Sequence, residues 1–91
     1  MAKKRDRLKL IHDILKVIKD NNNSIKPTPL LRYSNLSSQG FQEYLSELLE
    51  KEFIWEIKDK KSRKFYSLTD KGFRYLEKYQ AIRGFIEDFG L

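Results

Sequence analysis

Residues 34–50 read SNLSSQGFQEYLSELLE. Apolar side chains recur within this stretch at the three- and four-residue steps that mark one face of an α-helix. They are Phe41, Tyr44, Leu45, Leu48 and Leu49. A hydroxyl at Ser37 or Ser38 can cap this helix, because it accepts a hydrogen bond from an N–H of the first turn. The pattern therefore predicts a helix over residues 37–50.

The opposite face of this predicted helix carries hydroxyl and amide side chains and one carboxylate. They are Ser38, Gln39, Gln42, Glu43 and Ser46. Hydroxyl and amide groups both donate and accept hydrogen bonds, as a helix that reads base edges in a DNA major groove must do. The same face could be the solvated outside of an ordinary amphipathic helix. This stretch alone leaves both interpretations open.

The size of the chain limits what it can be. Its 91 residues, 40% of them hydrophobic, suffice for one domain (residues 1–91) with a modest core. A core that small is marginal, so contacts with a second copy would help to stabilise it. The absence of cysteine excludes disulfides and thiolate metal sites. No signal peptide is present and no apolar run approaches the roughly 20 residues of a membrane span, so we expect a cytoplasmic protein.

Positive charge is concentrated in two short segments. The formal net charge is +6, and residues 3–9 and 58–64 each contribute +4, so the rest of the chain has a charge of −2. Clustered basic charge is the usual footprint of a protein that binds a polyanion. Two solvated, lysine-rich surface segments would give the same pattern without such a partner.

Another helix is predicted at the start of the chain, over residues 5–21. Its wide apolar stripe indicates packing on more than one side. His12, the only histidine, lacks a partner set for catalysis or metal binding, so we expect a partly exposed helix residue. The asparagine run at residues 21–23 ends the helix, because asparagine tolerates the left-handed conformation of a helix stop.

A short second helix is predicted over residues 28–33, with Thr28 as its cap and Pro29 as its first residue. Proline is favoured there because the N–H that it lacks would have no helical partner. A turn at residues 34–36 leads to the next helix, and Leu36 is expected to reach the core. Two helices joined by so few residues, the second with a polar outer face, form a helix-turn-helix pattern.

Residues 53–68 are predicted to form a β-hairpin. Both flanks are rich in β-branched and aromatic residues, whereas the middle is polar and charged. We expect Ile54, Tyr66 and Leu68 to point inward and Trp55 and Phe65 to be half exposed. A hairpin in this position is a wing, and its basic tip could lie along phosphates or in a minor groove.

The last predicted helix spans residues 69–89, with Thr69 as its cap. Phe73 and Leu76 are assigned to the core of the same chain. A second apolar stripe has the alternating steps of four and three residues of a heptad seam. It consists of Tyr75, Tyr79, Ile82, Ile86 and Phe89. This seam either joins the same helix of a second copy in a two-fold dimer, which we favour, or packs on the first helix of a monomer.

The order helix, helix, helix, basic hairpin, helix resembles that of the winged-helix DNA-binding proteins. The chain is most similar to the small archaeal winged-helix transcriptional regulators and chromatin proteins that dimerise through their last helix. The resemblance rests on residues 30–54, LLRYSNLSSQGFQEYLSELLEKEFI, and residues 66–72, YSLTDKG. It implies a mainly α fold with a small β-hairpin, a winged helix-turn-helix with an extra C-terminal dimerisation helix. These motifs are moderately specific for the fold and weakly specific for a biological role.

The resemblance also implies where DNA would be bound. The third helix would enter the major groove, and the wing would contact flanking backbone or minor groove. The residues expected to bind DNA are Ser37, Ser38, Gln39, Gln42, Glu43, Ser46, Lys60, Lys61, Arg63 and Lys64. The family usually has a glycine after the third helix, where this chain has Glu52, whereas Gly72 matches the family and would permit close packing of the last helix.

We weigh three classes of function: a sequence-specific or architectural DNA-binding protein, a protein-interaction module and an enzyme. A DNA-binding homodimer is favoured, with Gln42 contacting a base and the basic segments supplying salt-dependent affinity. The alternatives are a non-specific chromatin protein and a protein-interaction module with an acidic patch for a basic partner. That patch would consist of Glu47, Glu50, Glu52 and Glu56. An enzyme is disfavoured, because the chain has no cysteine, one histidine and no glycine-rich phosphate loop.

The expected partner is therefore double-stranded DNA, and the expected location is the nucleoid in the cytoplasm. We expect no cofactor, no metal and no small-molecule ligand.

Overall fold

The computed structural model describes residues 6–91. Lys3, Lys4 and Arg5 of the first basic segment, including the predicted start of the first helix, lie outside the described residues. The elements are α1 (Arg7–Asp20), α2 (Pro27–Ser34), α3 (Ser38–Glu50), β1 (Ile54–Lys58), β2 (Lys64–Leu68) and α4 (Asp70–Asp88). They form the mainly helical fold with an antiparallel hairpin that the sequence predicts. Within residues 6–91, no helix is both long and apolar enough to cross a membrane.

One hydrophobic core lies between the helices and the hairpin. Its side chains are Ile11, Ile14, Leu15, Ile18, Ile25, Leu30, Phe41, Leu45, Leu48, Ile54, Tyr66, Leu68 and Leu76. Full burial of one such aliphatic side chain stabilises the fold by about 1.5–3 kcal/mol. Leu36 is half-buried and packs against this core, so the turn between α2 and α3 is anchored there.

Side-chain caps determine where three of the helices begin. Asp6 caps α1, and the Ser37 hydroxyl accepts a hydrogen bond from the N–H of Gly40 at 3.1 Å at the start of α3. Thr69 accepts from the N–H of Gly72 at 3.1 Å at the start of α4. Each cap satisfies an N–H that has no partner within its helix. The caps predicted at residues 37 and 69 are therefore confirmed.

The start of α2 differs from the prediction. Pro27 rather than Pro29 is its first residue, so the expected cap at Thr28 lies inside the helix. The residue before the helix is Lys26, whose side chain makes no capping hydrogen bond. A proline in the first turn starts a helix without such a cap, because its fixed φ already has the helical value.

The hairpin pairs β1 with β2 in the register Ile54–Leu68 to Lys58–Lys64. Ile54, Tyr66 and Leu68 are buried, as predicted. On the other edge of β2, Ile25 and Tyr66 exchange two backbone hydrogen bonds, of 3.2 Å and 2.8 Å. The inner strand of the wing is therefore bound on both edges.

The loop after α1 is bound to the same strand. Its left-handed residues are Asn22 and Asn23, with φ of 60° and 55°, as predicted for a helix stop made of asparagine. The Asn23 side chain accepts a hydrogen bond from the N–H of Leu68 at 2.7 Å. The Asn23 carbonyl accepts one from the hydroxyl of Ser67 at 2.6 Å. Polar groups at the base of the wing are thus satisfied by this loop.

His12 is buried, so the expectation of a partly exposed residue is wrong. Its ring stacks on that of Tyr79 in α4 with a centroid distance of 4.3 Å. Its Nδ1 lies 3.0 Å from a carboxylate oxygen of Asp13, and its Nε2 lies 3.1 Å from the side-chain amide nitrogen of Gln80. The pattern of α1 alone could not predict this burial, because the covering residues lie almost 70 positions further along the chain.

The turn from α3 into β1 contains Glu52 in the left-handed conformation, with φ of 62°. The N–H of Glu52 donates to the carbonyl of Leu49 at 3.1 Å, and that of Phe53 donates to the carbonyl of Leu48 at 2.9 Å. This pair of hydrogen bonds is the usual closure of a helix before a left-handed residue. The turn therefore forms with glutamate, but with a backbone conformation that a Cβ disfavours.

Gly72 lies where α4 passes the carbonyl group of Phe53. A Cβ added at Gly72 would overlap with the Phe53 carbonyl oxygen. That oxygen also accepts a hydrogen bond from the N–H of Thr69 at 3.1 Å. The last helix therefore packs closely against the backbone at Phe53, and only a residue without a Cβ fits there. This confirms the close packing that the sequence predicts for Gly72.

We expect Glu52→Gly to raise the free energy of unfolding by about 1 kcal/mol, because glycine adopts the left-handed conformation without a Cβ penalty. Urea denaturation followed by circular dichroism measures this change. Glu50→Gly is the control, since residue 50 is the last residue of the right-handed helix α3. Glycine there should lower the free energy of unfolding by about 0.5–1 kcal/mol. A stability loss in Glu52→Gly would contradict the strain inferred at this turn.

We expect Gly72→Ala to lower the free energy of unfolding by roughly 1–3 kcal/mol, because α4 or the backbone at Phe53 must move. Gly84→Ala is the matched substitution in the same helix, where an added Cβ meets none of the described atoms within 4 Å. It should raise the free energy of unfolding by about 1 kcal/mol through helix propensity. Denaturation curves of both variants test this difference, and equal effects would refute the close-packing argument.

Candidate nucleic-acid interface

The outer face of α3 presents all the polar side chains that the sequence analysis selected. Ser37, Ser38, Gln39, Gln42, Glu43 and Ser46 are exposed. On the other side of α3, Phe41, Leu45 and Leu48 are buried in the core. The helix is therefore held by its apolar side, and its hydrogen-bonding side is open to a partner. Ser37 is the exception in role, because its hydroxyl oxygen already caps the helix.

One flank of α3 is bound to the start of α1. The Arg7 guanidinium donates two hydrogen bonds to the Glu47 carboxylate, one of them 2.8 Å long. Lys51 donates to the same carboxylate at 2.7 Å. The negative charge of Glu47 is thus compensated within the chain. The acidic patch predicted for a basic protein partner is weakened at Glu47 and also at Glu56, which lies 3.7 Å from the Lys64 ammonium.

At the wing tip, Lys60 and Lys61 are open to solvent, whereas Arg63 is bound to a carboxylate of the same loop. Lys60, Lys61, Arg63 and Lys64 are all exposed. The Arg63 side chain donates to the Asp59 carboxylate at 2.6 Å. Within residues 6–91, Lys60 and Lys61 form no ion pair. Of the four basic residues predicted to contact DNA, these two therefore have the charge that is most available to phosphates.

Asp59 organises this loop, and it is not among the residues predicted from the sequence to bind DNA. Its carboxylate accepts from the backbone N–H groups of Lys61 and Arg63, both at 2.9 Å. The backbone hydrogen bond from Arg63, assisted by the Arg63 side chain and the N–H of Lys61, lowers the pKa of Asp59 below its ordinary value. An aspartate that opens a polar turn is a known signal for this arrangement, and the residues Asp59–Arg63 contain it.

The outer face of the hairpin is partly apolar. Trp55 is 56% exposed, as expected for a half-exposed residue, and its indole N–H donates to the carbonyl of Leu68 at 3.1 Å. Ile57 is 48% exposed on the same face of β1.

Within residues 6–91 there is no group of three or more His, Cys, Asp or Glu side chains that could hold a metal ion.

The five residues of the predicted dimerisation seam lie in two different environments. The Tyr75 hydroxyl donates to the carbonyl of Leu8 in α1 at 2.6 Å, and burial raises the pKa of Tyr75 to about 12. Tyr79 stacks on His12 of α1. Further along α4, Ile82 and Phe89 are exposed and Ile86 is half-buried.

Phe85 was missed by the heptad pattern and lies with the second group. It is 57% exposed, and its ring centroid is 4.8 Å from that of Phe89. Residues 82, 85, 86 and 89 share one side of a helix, because they are separated by three or four residues. The sequence therefore did indicate that Phe85 belongs to this apolar side, because it lies three residues after Ile82 and four before Phe89.

Comparisons with known proteins agree with this geometry. Residues 4–87 match the model of a winged helix-turn-helix family. The chain is 37% identical over 79 residues to an uncharacterized protein of Methanocaldococcus jannaschii. That match covers 87% of this chain and 34% of the relative, so the chain spans about a third of the relative's length.

Two solved structures share the fold at 20% sequence identity. Sso10a-2, a DNA-binding protein from Sulfolobus solfataricus, aligns with a TM-score of 0.70 over 94% of this chain and 90% of its own. F93 from STIV, a winged-helix DNA-binding protein, aligns with a TM-score of 0.71 over 87% of this chain and 90% of its own. The family match extends over nearly the whole sequence, from before α1 almost to the end of α4. This chain therefore belongs to the winged helix-turn-helix family.

Proposed function

We propose that the protein binds double-stranded DNA as a homodimer, with α3 in the major groove and the wing on flanking backbone or minor groove. The exposed polar face of α3 is the observation that carries this proposal. Its amide and hydroxyl groups face outward while the apolar side fixes the helix in the core. The DNA-binding role of Sso10a-2 and of F93 supports the same class of partner.

Base selection is assigned to the middle of α3. Gln42 is exposed and has an amide that can form a bidentate pair with adenine, worth about 1–3 kcal/mol against a wrong base. Glu43 can accept from the amino group of cytosine, or it can repel phosphates and sharpen the choice. An acid on this face favours a sequence-specific transcriptional regulator over a general chromatin protein, because non-specific binders usually keep this face basic.

Affinity without base choice is assigned to the wing. Lys60 and Lys61 are exposed at the tip of the hairpin, and this hairpin directly follows α3 in the chain. Lysines that contact phosphates release condensed counterions, so binding weakens as salt rises. The proposed location is the nucleoid in the cytoplasm, and the proposed role is binding and not catalysis.

The homodimer is assigned to the end of α4. Tyr75 and Tyr79 contact α1 of the same chain, so the proposed contact consists of Ile82, Phe85, Ile86 and Phe89. Ile82 and Phe89 are 56% and 67% exposed. Apolar side chains exposed along one side of a helix are typical of an interface with a second helix. A two-fold dimer would place two copies of α3 on one duplex.

The DNA proposal is tested by fluorescence anisotropy with a random-sequence duplex over a range of salt concentrations. We expect binding that weakens steeply with salt. Replacing both Lys60 and Lys61 by glutamine should reduce the salt slope by about 1 for each lost phosphate contact. Gln42→Ala should leave the slope unchanged and reduce discrimination between selected and random sequences. Absence of binding at about 50 mM salt would contradict this role and favour protein docking at exposed Trp55 and Ile57.

The dimer proposal is tested by sedimentation of the free protein. We expect twice the chain mass of 10.9 kDa, and we expect Phe85→Glu and Phe89→Glu to sediment as monomers. Arg83→Gln is the control, since it lowers the net charge by one like the other two but lies about 100° around the helix from Ile82. A wild-type protein that sediments at 10.9 kDa at micromolar concentration would contradict the proposal.

A further inference from the structure

Five residues, 59–63, connect the last paired residues of the wing, Lys58 and Lys64. The N–H of Asp59 donates to the carbonyl of Arg63 at 3.0 Å, and the N–H of Ser62 donates to the carbonyl of Asp59 at 3.0 Å. Ser62 has φ of 62°, in the left-handed region that a serine rarely adopts. Some other interaction must therefore hold this loop in its conformation.

The Asp59 carboxylate supplies that interaction. One of its oxygens accepts from the N–H groups of Lys61 and Arg63, each at 2.9 Å. The other accepts from Nε of Arg63 at 2.6 Å. Three donors, from Lys61 and Arg63, thus converge on the side chain of Asp59. Hydrogen bonds to an ionised acceptor are stronger than those between neutral groups.

We propose that Asp59 is a positioning residue that holds the wing tip in its DNA-binding conformation, so that an acid in the basic loop raises the affinity for DNA. This inference rests on the proposed function. It reverses what charge alone predicts, since a carboxylate near phosphates repels them. Asp59 does not contact DNA in this proposal. It acts through the backbone that carries Lys60 and Lys61.

Two opposing effects determine the sign. The repulsion between Asp59 and phosphate is small, because Arg63 already compensates the charge and the loop is exposed to screening salt. The ordering effect is larger, because a disordered loop must lose the conformational freedom of several residues when it binds. Pre-ordering by Asp59 removes that loss from the binding step.

The carboxylate is ionised under ordinary binding conditions. The backbone hydrogen bond from Arg63 lowers the pKa of Asp59, so the ordering interaction is complete above the ordinary aspartate pKa. It is lost only as the pH falls through the lowered value. Binding assays near neutral pH therefore test the fully ordered loop.

The decisive comparison uses two acids of the wing that differ in their contacts. Asp59→Ala and Glu56→Gln each raise the net charge by one. The Glu56 carboxylate lies 3.7 Å from the Lys64 ammonium. Unlike the Asp59 carboxylate, it accepts no hydrogen bond from the backbone of residues 59–63. Charge alone predicts tighter DNA binding for both variants. We expect about fivefold weaker binding for Asp59→Ala and about twofold tighter binding for Glu56→Gln, by anisotropy with the random-sequence duplex.

Two further readouts separate positioning from a general loss of structure. Asp59→Asn keeps an acceptor oxygen for the two backbone N–H groups and loses the ionic bond to Arg63, so its affinity should lie between those of wild type and Asp59→Ala. Nitrogen-15 relaxation of residues 59–63 in the free protein should show increased fast motion in Asp59→Ala. The signals of α1 to α4 should be unchanged, because the loop is exposed.

Two outcomes would overturn the inference alone. One is wild-type DNA binding with equal or tighter binding by Asp59→Ala. The other is a loop in Asp59→Ala as rigid as that of the wild type. A wild-type protein that fails to bind DNA would instead overturn the proposed function, and this inference with it.

Discussion

The carbonyl oxygen of Phe53 connects three parts of this fold. It accepts a hydrogen bond from the N–H of Thr69, where α4 begins, and it occupies the space that a side chain at residue 72 would need. The N–H of Phe53 closes the end of α3 by donating to Leu48. The two backbone groups of one residue therefore fix α3, the first strand of the wing and the last helix relative to one another. Because close-packed interiors transmit strain, a displacement here would change the angle between α3 and the wing.

The periodic features of the sequence predicted most of this arrangement. The apolar steps in α3, the caps at Ser37 and Thr69 and the inward residues of the hairpin follow from local rules, because each depends on neighbours within a turn or a strand. The predicted first residue of α2 is Pro29, whereas the helix begins at Pro27. Both prolines suit a first turn. Local rules do not distinguish them.

What the sequence could not predict involves partners that are distant in the chain. The burial of His12 depends on Tyr79, and the two tyrosines of the seam contact α1 of the same chain. The compensation of Glu47 by Arg7 is also long-range, at a separation of 40 residues. Charges counted along the chain therefore overstate both the acidic patch and the basic wing. Several of these charges already have a partner of opposite sign within residues 6–91.

The attachment of β2 to the loop after α1 affects how the wing folds. Asn23 and Ile25 bind a strand that lies more than 40 residues further along the chain. An isolated two-stranded hairpin is only marginally stable in water. Contacts across so long a separation form late, because a large loop must close before they contribute. The wing is thus not an autonomous hairpin, and its formation marks the completion of the helical body that carries it.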